Sequence, residues 1–510
     1  MNTGKKHIVI VGAGPGGLTA AMILAKRGFE VDVYEKEATV GGRNAEMKAG
    51  PYRFDIGPTF LMMKFILDEM FSEAGRKTEA YLKTTRLPMM YRLAFSDMSL
   101  DISDDREKTK AEIARAFPGQ EAGLDRFFAI EAKRFAAIYP CLQKDYSSLF
   151  AYLNPTFLKA LPYIPLGSSL FSYLGNYFAP ERLRLSFTFQ AKYLGMSPWE
   201  CPGFFIMLPY IEHRFGVFHV EGGLSKISQA MADVAKEHGA RIHLSAPVQE
   251  IMLANKKATG VVLSDGTEVL ADSVVVNADF AHAMETLVSD GVLKKYNKEK
   301  LAQKEYSCST YMLYLGLDTI PDLPHHTIFF ADDYKKNVDD IFKRKTLSDD
   351  FSFYVRNASV LDKTLAPEGH SALYVLVPVP NQTSGIDWAT QKSLMRAQVL
   401  KRLEGRAGIK NIEAHIKEER EITPAQWQSS GVYAGATFNL AHTLGQMLYL
   451  RPHNRFEELE NLFLVGGGTH PGSGLPTIYE SGRIAANLIS RDHGVSFDAP
   501  KPLSQHEREV

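Results

Sequence analysis

Apolar positions change period several times along this chain, and the first changes fall within 45 residues. His7–Val11 is a run of strand length, apolar after its first residue, that stops at glycine. Leu18, Ala21, Met22 and Ala25 then recur at spacings of three and four, the face of a helix that Arg27 and Gly28 terminate. Glu30–Tyr34 supplies a second strand closing on Glu35. Strand, glycine turn, helix and strand in this order predict the opening βαβ unit of a doubly wound nucleotide-binding fold.

Two later regions share this texture. A helix over 224–238 leads into strands at 242–244, 248–253, 259–263 and 274–276, with Asp265-Gly266 marking a hairpin. Near the end a strand over 462–465 runs into a glycine cluster and then a helix over 477–489. Between these regions, 76–214 reads as mostly helical, charged in its first half and aromatic and proline-broken in its second. The stretch 306–432 alternates as strands, clearest at 310–315 and 372–377. The pattern predicts an α/β protein. A discontinuous Rossmann-like domain is expected from 1–75, 215–290 and 430–492, with a helical insertion at 76–214 and a mixed-sheet substrate unit at 291–429.

Composition narrows the class further. A chain of 510 residues, 45% apolar and 23% charged, supports two to four packed units and excludes extensive disorder. Lys and Arg (58) nearly balance Asp and Glu (59), which argues against a nucleic-acid partner. Cys141, Cys201 and Cys308 form no CxxC pair, which points to a reducing compartment and away from a thiolate metal cluster. The N-terminal apolar run is too short for an export signal. No stretch reads as a spanning helix, since the nearest candidate, 160–180, is uncharged but broken by Pro162, Pro165, Gly167 and Gly175.

The chemistry begins at Gly12-Ala13-Gly14-Pro15-Gly16-Gly17, a G-x-G-x-x-G turn between strand and helix. Its first glycine permits a tight turn, the second lets backbone approach a pyrophosphate, and the third lets helix and strand pack closely. Glu35, 23 residues beyond Gly12, stands where a carboxylate accepts from a ribose diol. Gly41-Gly42-Arg43 and then Phe54-Asp55-Ile56-Gly57-Pro58-Thr59 follow. Paired glycines let backbone run beside a flat ring, and Arg43 suits a phosphate or the anion of a reduced flavin.

This arrangement resembles the flavoprotein group that includes amine oxidases, carotenoid desaturases and GDP-dissociation inhibitors. The run 461–476, Asn-Leu-Phe-Leu-Val-Gly-Gly-Gly-Thr-His-Pro-Gly-Ser-Gly-Leu-Pro, resembles the signature of bacterial-type phytoene desaturases. Many related flavoproteins carry an acid where this chain has Gly467, as the carotenoid enzymes do. The resemblance extends to Val276-Asn277-Ala278-Asp279, to 314–316, 365–369 and 377–380, and to the stretch from Gly435 to Arg451-Pro452. His219 to Gly223 and Arg356-Asn357-Ala358 depart from the usual pattern. The resemblance implies FAD held by Gly12, Gly14, Gly16, Gly17, Glu35, Lys36, Gly42, Arg43, Gly57, Pro58, Thr59, Val248, Gly467, Gly468 and Pro476. It implies desaturation of an acyclic C40 or C30 carotenoid precursor, with a hydride leaving an allylic carbon for the flavin and a neighbouring carbon losing a proton. Quinone or oxygen would reoxidise the flavin. A carotenoid oxygenase or ketolase would share these motifs. An amine oxidase would lack the C-terminal signature, and an isoprenoid-binding escort protein would share the fold without flavin.

The dense aromatic and aliphatic positions from Phe150 to Phe178, flanked by Lys159, Arg182 and Arg184, suit either a buried hairpin or a bilayer interface. The resemblance favours the interface, and with it a cytoplasmic protein peripheral at the inner face of the membrane. His325-His326 reads as a loop or interface pair rather than a metal pair, and Met62-Met63 as plain packing. His470 is read as positioning its turn. The charge run 335–345 reads as a solvated face, with contact to anionic lipid as the alternative.

Overall fold

The computed structural model describes residues 5–165 and 167–500. β1 (His7–Val11), α1 (Pro15–Lys26) and β2 (Glu30–Tyr34) form where the apolar pattern places them. They belong to a five-stranded parallel sheet, ordered Leu462–Leu464, Ser273–Val276, β1, β2 and Arg241–His243. The sheet therefore gathers strands from parts of the chain more than 400 residues apart. Ile8, Val9, Ile10, Val274 and Val275 are fully buried, because helices cover one face and a small antiparallel sheet the other, leaving no polar side to the strands. α1 packs between the helices Ser225–Glu237 and Leu475–Asp492. The predicted hairpin at Asp265-Gly266 joins Lys257–Leu263 to Glu268–Leu270 in a small antiparallel sheet with Val248–Ala254.

A second sheet has seven strands, ordered Ile416–Ile422, Ser309–Leu317, Ser371–Val379, Phe353–Asn357, His326–Phe329, Met89–Ala94 and Ser99–Ser103. All its pairings are antiparallel except that of His326–Phe329 with Met89–Ala94. One face packs on the helix Trp388–Gly405. The other carries tyrosines and meets the helical layer through Phe60, Tyr91, Phe189 and Phe330. The stretch 76–214, read as mostly helical, thus contributes a hairpin to this sheet before its helices Arg106–Ala116 and Glu121–Leu142 begin. Its alternation lasts only from Met89 to Ala94, too short a run to outweigh the helical periods that follow.

No helix among the described residues is long and apolar enough to cross a membrane. The aromatic stretch 150–178 divides in two. Leu170, Leu174, Tyr177 and Phe178 are core residues. Phe150 is 82% exposed, and Leu149, Leu153, Leu158 and Leu161 are exposed beside it. Leu444, Leu448 and Leu450 are exposed as well, on a segment joined to the first where Tyr152 meets Tyr449. The charge run at 335–345 is solvated and internally paired, Lys335 and Lys343 with Asp339, Lys336 and Arg344 with Asp340.

Candidate functional site

The chain leaves β1 through Gly12, whose φ of +96° is open to glycine at little cost and whose N–H donates to Tyr34 O at 2.8 Å. A Cβ on Gly17 would lie 2.5 Å from Gly12 O, so the turn closes only with glycine there. Asn277, which follows the Ser273–Val276 strand, fills the space beside Gly14 and Gly16 and donates from Nδ2 to Gly12 O at 3.0 Å. No side chain caps α1. Its first-turn amides, which have no acceptor within the helix, are left for an anion at the positive end of the helix dipole.

Glu35 is buried at the end of β2. One of its carboxylate oxygens accepts from Ala13 N–H at 2.7 Å and the other from Glu37 N–H at 2.9 Å. Each oxygen keeps a second acceptor position, as a vicinal diol requires. Ser245 and Ala246 bond to the backbone of Glu37 and Glu35, which brings Val248 against the apolar cluster of Val11, Tyr34 and Val276. Lys36 is exposed and gives its ammonium to Ser430 O at 2.6 Å.

The remaining predicted positions converge from three directions. Gly41 N–H donates to Ala13 O, and a Cβ on Gly42 would approach Gly14 Cα at 3.7 Å. The terminal glycine cluster reaches the same place, because a Cβ on Gly16 would lie 3.2 Å from Gly466 N. Gly482 packs its backbone on Gly16 O. Gly468 lies against Phe280, and Pro476 occupies the first turn of the uncapped helix Leu475–Asp492. Gly57 backs onto Arg43 O, with Pro58 half-buried and Thr59 buried after it.

Arg43 donates to Thr437 O (2.8 Å) and Asn439 Oδ1 (3.1 Å), and Asn439 in turn abuts Gly467. Burial lowers the Arg43 pKa while Asp279 opposes the shift; burial raises Asp279 in turn, with Arg43 opposing. Arg451 is buried beneath the terminal turn, donating to Gly467 O at 2.6 Å and Thr469 O at 3.1 Å. Burial brings its pKa down to about 10, so it stays charged at neutral pH. His470 donates from Nε2 to Lys144 O at 2.9 Å, and burial brings it down to about 4. Asn277, Asn439 and Arg451 shape the site without being among the cofactor-binding residues expected from the motifs, although all three lie within stretches of resemblance. Asn277 had a legible signal, a polar side chain directly after four apolar strand residues.

His325 and His326 are corrected from loop or interface positions to buried ones. His326 lies within the seven-stranded sheet, fully buried, and His325 stands just before it. His325 Nε2 meets His219 Nδ1 at 3.2 Å, and His219 Nε2 donates to Asp362 at 2.9 Å. Arg356 donates to Asp55 at 2.7 Å and reaches His219 Nδ1 at 3.4 Å. The two departures from the family pattern, around His219 and Arg356, are therefore partners in one buried network. Its carboxylate Asp362 is driven up by burial but held well below the ordinary range by His219, Thr364 and Gly222.

Residues 15–490 match the family of flavin containing amine oxidoreductases. Over 493 residues, 96% of each chain, the protein is 56% identical to a 4,4'-diapophytoene desaturase (4,4'-diapolycopene-forming) of a Methylomonas species. The chain belongs to the phytoene and diapophytoene desaturase family. A more distant member, an all-trans-zeta-carotene desaturase of Myxococcus xanthus, is 37% identical over 96% of this chain and 94% of its own. Putrescine oxidase bound to putrescine shares the fold, with a TM-score of 0.62 at 16% identity over 96% of this chain and 99% of that one. The desaturase family thus carries an α/β fold of the flavin amine oxidase type, a parallel sheet beside a mixed one.

Proposed function

We propose that this protein is an FAD-dependent carotenoid desaturase acting on the C30 precursor 4,4'-diapophytoene. The observation that carries the substrate is the 56% identity, spread over 96% of both chains, to the Methylomonas 4,4'-diapophytoene desaturase. The donor set supports FAD as the cofactor. Glu35 retains acceptor positions for a ribose diol, the glycines at 12–17 let the turn close tightly against Asn277, and α1 presents uncapped amides for a pyrophosphate. Gly42, Gly57 and Gly467 supply bare backbone where a flat ring would lie, and the uncapped helix Leu475–Asp492 offers a second positive end. Bound there, FAD supplies a two-electron acceptor for a hydride. The chain's own task is to hold the polyene in register and keep water from it, because an allylic cation is readily trapped. The aromatic layer of Phe60, Tyr91 and Phe189 serves that exclusion.

The same reading assigns residues 1–75, 215–290 and 430–492 to the flavin unit and 76–214 with 291–429 to the substrate unit. The exposed apolar segments 149–161 and 444–450 are its bilayer-facing surface, which suits a substrate dissolved in lipid. Quinone or oxygen closes the cycle at the inner face of the membrane. The test is anaerobic addition of detergent-dispersed 4,4'-diapophytoene, and of phytoene in parallel, to the flavin-loaded protein. Flavin bands that bleach faster with the C30 polyene, while longer-wavelength polyene bands grow, support the reading. Faster bleaching with phytoene moves the substrate to C40. Bound flavin without a new polyene favours an oxygenase, and no flavin retained after reconstitution favours an escort protein.

A further inference from the structure

The segment Asp55–Thr59 is held from one side by the seven-stranded sheet, almost residue by residue. Arg356 binds the Asp55 carboxylate, Tyr314 O–H donates to Ile56 O at 2.6 Å, and Tyr374 O–H donates to Gly57 O at 2.9 Å. Tyr354 O–H donates to Thr59 Oγ1 at 2.9 Å. These side chains come from three neighbouring strands and one sheet face. Tyr314 lies opposite Tyr374, Tyr374 opposite Arg356, and Tyr354 sits two residues before Arg356. Their rings form a ladder, Tyr314 to Tyr374 at 5.5 Å, Tyr374 to Tyr354 at 5.8 Å, and Tyr354 to His326 at 5.9 Å.

The ladder also sets a hydrogen-bond direction. With Tyr354 donating to Thr59, His326 Nδ1, 2.6 Å from the Tyr354 oxygen, is the N–H donor to it. That tautomer leaves His326 Nε2 as a bare lone pair, and Nε2 has no partner among the described residues. Thr59 then accepts, and its own hydrogen finds no acceptor among the described residues. The Thr59 hydroxyl is buried, and it stands two residues beyond Gly57, which backs onto Arg43.

We propose that this sheet face is a positioning template for residues 55–59, and that the relay His326–Tyr354–Thr59 orients the Thr59 hydroxyl as a hydrogen-bond donor to the flavin ring. The proposal rests on the flavin reading above. A fixed donor at the ring stabilises the charge gained on reduction, so the template links the substrate sheet to the flavin's redox behaviour.

The test compares Tyr354→Phe, Thr59→Val and Thr59→Ser with Tyr311→Phe, whose hydroxyl donates to Glu421 from the opposite sheet face. Each flavin-loaded protein is examined by visible spectrum, midpoint potential, and rate of anaerobic flavin reduction by substrate. Tyr354→Phe and Thr59→Val are expected to retain flavin, shift its visible bands, lower its potential and slow reduction about three- to tenfold, the worth of one hydrogen bond. Thr59→Ser, which keeps the hydroxyl, should restore most of what Thr59→Val loses, and Tyr311→Phe should match the wild type. Wild-type spectra and potentials in both Tyr354→Phe and Thr59→Val overturn the proposal. Should Tyr354→Phe fail to fold, the contrast between Thr59→Val and Thr59→Ser decides it by itself. A wild-type protein that holds no flavin overturns the functional reading first, and is seen before any variant is compared.

Discussion

The turn at residues 12–17 and the segment at residues 55–59 face the same site but are built by different means. The first is made of backbone. Its shape follows from glycines adjacent in sequence, from β1 on one side and α1 on the other, and one distant side chain, Asn277, locks it. The second is made by side chains that arrive from some 250 to 320 residues away, at 314, 354, 356 and 374. A backbone cradle tolerates almost any surroundings and no added Cβ. A side-chain template tolerates ordinary backbone and depends on each partner.

The sharpest way to break this comparison is Arg356→Leu. It leaves Asp55 buried without its cation, which costs about 3–5 kcal/mol of stability. Urea unfolding measures it, and an unchanged midpoint would show that the template does not depend on its charges. The helical layer over the same sheet separates the regions by pH. Burial raises the Glu212 carboxyl to about 8, with Gln190 and Tyr91 donating to it and opposing the shift. Its folded value lies above the unfolded one of 4.5, so its stabilising contribution is full at low pH and drains away as pH rises toward 8. Glu212→Gln should therefore gain about 3 kcal/mol on the wild type between pH 5 and 8. A gap that stays constant with pH would refute the buried titration.

In the cradle, Gly17→Val forces a side chain onto Gly12 O and should weaken flavin retention by at least about 100-fold, or ~2.7 kcal/mol. Absorbance at the flavin band after gel filtration reads this directly, and unchanged retention would show that the turn tolerates a side chain there. The smallest effect belongs to neither region. Phe150→Ser with Leu153→Ser should cut binding to lipid vesicles about tenfold, or ~1.4 kcal/mol, while flavin content and unfolding stay as they are. Vesicle binding equal to the wild type would remove segment 149–161 from the membrane reading.

Legibility follows the same division. The parallel sheet, α1 and the terminal helix were readable because apolar period and glycine position are local signals. The hairpin Met89–Ala94 with Ser99–Ser103 was not, since what holds it is pairing with His326–Phe329 far along the chain. Residues 150–178 show the limit in another form. Phe150 and Phe178 are the same residue type in one aromatic stretch, yet one is exposed and the other lies against Phe127 and Phe187.

What the sequence determined by itself is the chemistry of the backbone: where glycine admits a turn, where a helix can begin uncapped, and where Glu35 falls relative to Gly12. The tertiary structure alone decided which side chains meet. It joined His219 to Arg356, set Tyr354 on Thr59, and placed Asn439 between Arg43 and Gly467. The physical reason is range. A turn is settled by dihedral angles a few residues apart, whereas a buried ion pair or a ring ladder exists only once sheet register brings distant strands side by side.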